Sequence, residues 1–199
     1  MGRQNTVMHV KIASAHFNEN LEWITRVKYP TLVYSKTIPT NNFIPFNKVQ
    51  EVPAYLKYII DNYYNLPEYS IFVHGHEYSP HQNDSIVNII NNLKFDRDII
   101  NLNRPDWYNK YDQAKRPDWG WIEDNWEEVF QSHLPFPEKL WFPAGAQFAV
   151  NKNCILKHPF EFYTKLYKWC EGTKLDNYIS SRIFEYTWFY IFSGDQVFI

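Results

Sequence analysis

The stretch that most constrains the fold is residues 51–81, EVPAYLKYIIDNYYNLPEYSIFVHGHEYSPH. Tyr55, Leu56, Ile59, Ile60 and Tyr63 recur at helical spacing while Lys57, Asp61 and Asn62 stay off that face, so it opens as an amphipathic helix. Pro53 suits the first helical turn. Pro67 cannot continue the hydrogen-bond ladder, and it biases Leu66 toward extended backbone. Residues 69–73 then form a nearly continuous apolar run, which predicts a strand covered on both faces, as in parallel or mixed α/β sheets. His74, His76 and His81 follow at its carboxyl end, where open α/β sheets carry their ligands.

The rest of the chain repeats this alternation. Residues 9–15, HVKIASA, predict a first strand, and Leu21, Trp23, Ile24 and Val27 a helix with Asn20 as its cap. TLVYS at 31–35 predicts a second strand, and the Pro- and Asn-bearing run 37–50 a loop. A helix over 85–93, strands over 99–102 and 148–150, and helices over 159–170 and 177–192 complete the pattern, each C-terminal helix with aromatics on one face. Residues 104–139 are irregular and Trp-rich, with RPDW at 104–107 and again at 116–119; a long excursion of this kind is usually a lid or substrate loop, and otherwise a surface-packed insertion. Alternating strand and helix specify an α/β layer fold, one domain over 1–199 with a mostly parallel central sheet. That geometry would gather His16, Asn18 and Glu19 after strand one, Tyr34 and Lys36 at strand two, and the histidines after strand three.

Composition narrows the function classes. A hydrophobic fraction of 45% with 19% aromatics argues for a packed domain rather than disorder. The net charge of −2 with scattered Lys and Arg gives no basic stripe for a nucleic-acid polymer. No segment approaches the ~20 apolar residues of a membrane helix, and the polar start MGRQNTVMHV is unlike a signal peptide, so a soluble, cytoplasmic chain is expected. The two cysteines, Cys154 and Cys170, are expected to be free thiols.

Several residues carry candidate chemistry beside plainer roles. Alternate residues on a strand point the same way, so His74 and His76 with His81 could share one ion, completed by Glu77; otherwise they cap loop carbonyls as neutral imidazoles. Asp96 and Asp98 form the sole Asp-x-Asp, following no strongly apolar strand, and read chiefly as a solvated turn. Lys36 suits a diphosphate as a point charge, or is a surface lysine. Glu185, inside IFEYTWFYIF, must reach solvent, pair with a cation such as Arg182, or hold a raised pKa suited to a catalytic base.

HFNENLEWI, VYSK, the 51–81 stretch, GAQFAVNKNCI, HPFEFYTKLYKWC and FEYTWFYIF, in that order, resemble an uncharacterised family of unknown function known in fungi, bacteria and large DNA viruses. Its layout resembles GT-A type glycosyltransferases, which implies transfer of a sugar from a nucleotide-sugar donor to a glycan or protein acceptor. The resemblance implies Glu185 as catalytic residue and His16, Asn18, Glu19, Tyr34, Lys36, Glu51, Gln147 and Trp188 as substrate contacts. Where GT-A enzymes carry Asp-x-Asp, this chain has His74-Gly75-His76, which suits Mn or Zn better than Mg. It also has Phe189 where relatives carry a histidine after the Trp. A metal-dependent hydrolase using the histidines, or a non-catalytic glycan-binding relative, are the competing expectations.

Overall fold

The computed structural model describes residues 8–112 and 120–194. β1 (Val10–His16) and β2 (Thr31–Ser35) are linked by a 3-10 helix at Glu22–Arg26 in place of the expected longer helix. Asn20 still serves this turn, its side-chain oxygen accepting from the Glu22 N–H at 2.8 Å. α1 (Val52–Asn62) carries proline in its first turn, and β3 (Tyr69–His74) follows the break at Pro67. α2 (Ile86–Asn91) is capped by the Ser85 hydroxyl, which accepts from the Val87 N–H.

β4 (Ile99–Asn101) leads into the Trp-rich region, which is more ordered than its sequence suggests: β5 (Tyr108–Asp112), α3 (Gly120–Phe130) and β6 (Lys139–Pro143). Residues 113–119, with the second RPDW, lie outside the described residues. β7 (Phe148–Asn151), α4 (Lys152–Ile155), α5 (Phe160–Gly172) and α6 (Asn177–Ser193) complete the order. None of the helices described is long and apolar enough to cross a membrane.

The fold is a single mixed α/β domain around a five-stranded open sheet of order β2-β1-β3-β7-β4. β1 pairs parallel with β2 and with β3, while β7 runs antiparallel to both β3 and β4. The expected mostly parallel sheet is therefore corrected to a mixed one. The cause is topological: the chain returns through the antiparallel β5–β6 pair and enters the sheet from the opposite end, between two strands already laid down.

β3 is the middle strand and is covered on both sides, as its apolar run requires. Tyr69, Ile71 and Val73 join Trp23, Ile86 and Ile90 on one face. Phe72 packs on the other with Tyr55, Phe148 and Trp188. α6 is buried all round from Ile183 to Phe192, so no single aromatic face exists there. Trp188, expected to touch substrate, is instead a core residue, 1% exposed and stacked on Phe192 at 5.7 Å. Cys154 and Cys170 are both buried free thiols.

Candidate functional site

A cleft of about 510 Å³ opens at the carboxyl ends of β1, β2 and β3. It brings together His16, Glu19, Tyr34, Lys36, Glu51, His74, His76, His81 and Glu185, all singled out from sequence. Asn18 is exposed outside its lining, and Gln147 lies beneath it, fully buried.

The strand ends dictate the floor. His74 closes β3, and its neighbours draw the other two rings in, with centroids 5.1 Å from His76 and 5.4 Å from His81. One nitrogen from each ring lies within 4.8 Å of the other two. The Nε2 atoms of His74 and His76 are buried with no hydrogen-bond partner. A buried polar atom left unpaired is costly, so such a pair marks a place built for something else to occupy.

Gln147 joins His74 and His81 from below. Its Oε1 accepts from the His74 backbone N–H at 3.1 Å, which fixes its Nε2 as a donor to Asn103 Oδ1 and to His81 Nε2, both at 3.2 Å. Gly145 lets His81 approach: its φ is +97°, and a Cβ there would meet the His81 ring at 2.8 Å. Burial drives the proton affinity of all three imidazoles down, His74 well below its ordinary value with help from His76 and His81, and His81 to about 4. Each shift favours the neutral imidazole, a form that can offer a lone pair. For His76 the nearby Glu19 carboxylate works against burial.

Neither acidic candidate from the sequence joins this group. Glu77 turns away to Arg26 at 2.5 Å and to the Ser85 hydroxyl at 2.7 Å. Asp96 and Asp98 are exposed in a turn before β4.

The other walls are charged. Lys36 donates to the Lys48 carbonyl at 2.9 Å, and burial pulls its pKa to about 8 against the pull of Glu51. Glu51 immediately precedes α1 and is pushed up to about 7, chiefly by burial and then by Glu185. Val49 and Gln50 before it hold left-handed backbone, φ 55° and 44°, a costly state for a β-branched residue. Asn177 clamps this turn by accepting from the Val49 N–H at 2.9 Å. Glu185 spends both oxygens, one on the Gly145 N–H at 2.8 Å and one on Arg182.

His16 closes β1 and shares a 2.9 Å hydrogen bond with Ser35. The Ser35 oxygen already accepts from the Thr37 and Ile38 N–H groups, so its hydroxyl donates to His16 Nδ1 and leaves Nε2 as the protonated nitrogen. Sequence reasoning passed over Asn47, Gln50 and Phe17 as lining residues, and knew Arg182 only as a partner for Glu185. For Arg182 a signal was present, since i and i+3 share a helix face; the others sit in loops that give no periodic clue.

No curated protein and no solved structure matches this chain. The profile described as "Protein of unknown function (DUF3431)" matches residues 12–199, nearly the whole sequence. The chain, with its three-histidine cleft, belongs to that family.

Proposed function

We propose that this protein is a glycosyltransferase that takes its sugar from a nucleotide-sugar donor, with a fold of the GT-A type. What carries the assignment is the meeting of opposed chemistries in one cleft at the carboxyl ends of parallel strands: neutral histidines on the floor, Lys36 and Arg182 on the walls. Ligands bind open α/β sheets at this edge, and lysine and arginine there suit a diphosphate. His74-Gly75-His76 follows a central strand, where GT-A enzymes have their Asp-x-Asp.

Under this assignment the nucleotide lies along His16, Phe17, Glu19 and Lys36, and the diphosphate faces the histidines. Trp107, 42% exposed on the cleft, offers an acceptor sugar an apolar ring face. The catalytic base moves from Glu185 to Glu51. Both oxygens of Glu185 are occupied, whereas Glu51 has a pKa of about 7, matched to taking a proton from an acceptor hydroxyl near neutrality.

The test is thermal unfolding with nucleosides, nucleoside diphosphates and nucleotide sugars, each with and without Mn or Zn. A ligand that binds only the native state raises its melting temperature by mass action. Diphosphates and nucleotide sugars should stabilise the protein where nucleosides do not, and Lys36→Met should abolish the difference. No response to any diphosphate, with or without metal, would refute the assignment.

A further inference from the structure

The geometry points to a resident zinc ion held by His74, His76 and His81, with its fourth position open to the cleft. The site stands on its own geometry and does not depend on the transferase assignment. Three neutral imidazoles and an open position are a ligand set of catalytic zinc. Hard Mg and Ca demand oxygen ligands, and none of the three groups supplies one. Among first-row ions, imidazole favours zinc and its neighbours over Mn.

The cluster needs little change to close on an ion. Zinc–nitrogen bonds of ~2.0 to 2.1 Å in a tetrahedron put neighbouring nitrogens about 3.4 Å apart. The three nitrogens already lie within 4.8 Å of one another, so small ring rotations suffice. The two orphaned atoms, Nε2 of His74 and of His76, gain partners in doing so. His81 is seated by Gly145, which lies against its ring. The Gln147 amide keeps Asn103 as a partner if the His81 nitrogen turns to the ion.

The experiment uses the full chain, purified without a histidine tag and without chelator. Metal content should be close to one zinc per chain after dialysis. Removing it by chelation and titrating with Co²⁺ should produce the intense visible bands of four-coordinate cobalt, saturating at one equivalent. Zinc should raise the melting temperature of the wild type and leave that of His81→Ala unmoved. His81 is the ligand to remove because it is half-buried, and His76→Gln serves if His81→Ala does not fold.

His81→Ala should weaken zinc by more than the ~10- to 100-fold typical of losing a partner behind a ligand. Glu77→Ala, at a carboxylate that faces Arg26 and Ser85 rather than the histidines, should bind as the wild type does. Substoichiometric metal that no added zinc brings to one equivalent, or equal affinity in wild type and His81→Ala, would overturn the site. Zinc at one equivalent with no nucleotide response refutes the transferase and leaves the metal site intact. Diphosphate binding by protein that takes up no zinc does the reverse.

Discussion

Gly145→Ala tests how tightly the cleft is built. At φ +97° an alanine is held where L-residues rarely go, a cost of order 1 to 3 kcal/mol. Its methyl would also sit 2.8 Å from His81 Cδ2, 2.9 Å from Cγ and 3.1 Å from Asn103 Nδ2, against ordinary contact beginning at 3.4 Å. The ring must yield by roughly half an ångström while Gln147 holds it, which adds about 0.5 to 1.5 kcal/mol of distorted side chain. Together these come to about 2 to 4 kcal/mol, or roughly 4 to 16 °C in melting temperature for a domain of this size. Urea unfolding with a shared slope, run beside zinc titration, reads both consequences. Gly172→Ala is the control: nothing lies within 4 Å of a methyl there, and alanine suits the end of α5, so it should stabilise by up to about 1 kcal/mol. If Gly145→Ala matched the wild type in stability and in zinc affinity, the close packing of Gly145 on His81 would have no energetic meaning.

Glu51→Gln should alter how stability depends on pH. The folded carboxyl keeps its proton to about 7 and the unfolded one releases it near 4.5, so the wild type loses stability as pH rises through that window. At ~1.36 kcal/mol per pH unit the loss is at most about 3 kcal/mol, and partial exposure and Lys36 reduce it. Relative to wild type, the variant should therefore gain about 1 to 3 kcal/mol between pH 4.5 and pH 8, and a flat difference in chemical denaturation across that range would contradict a raised Glu51. Trp188→Ala should cost about 3 to 5 kcal/mol by emptying a core site, whatever ligand is present; a stable variant that lost only ligand binding would return Trp188 to the substrate. Lys36→Met, which keeps the stem and removes the charge, should leave zinc stoichiometry unchanged while lowering affinity for diphosphates, as measured by calorimetry.

What the sequence discloses is local. The continuous apolar run of β3 announced a doubly covered strand, because burial on both faces writes itself into consecutive side chains, and TLVYS, rich in β-branched and aromatic residues, marked the edge strand β2 to the residue. The three histidines were legible as one cluster because two share a strand parity and the third follows within a turn. Direction in the sheet was not: β7 has four residues, and nothing in Phe148–Asn151 says that it runs against its neighbours. Trp188 was misplaced because α6 is apolar on every side, so helical spacing singles out no face. The role of Glu51 depends on Lys36 after β2 and on Arg182 and Glu185 of α6, two segments far from it in sequence.

The place of β7 sets a timetable for synthesis. β4 pairs with β7 alone, and β3 has one edge bare until β7 fills it. Gly145 and Gln147, which seat His81, stand directly before that strand, and Asn103 reaches the Gln147 segment only when β4 docks. A growing chain on the ribosome thus carries all three histidines long before it can hold them in place. Until about residue 151 emerges, it shows an apolar strand edge of the kind that chaperones guard. Under the proposed zinc site, metal loading and closure of the sheet would be a single late event, and an ion offered early would meet only loose histidines.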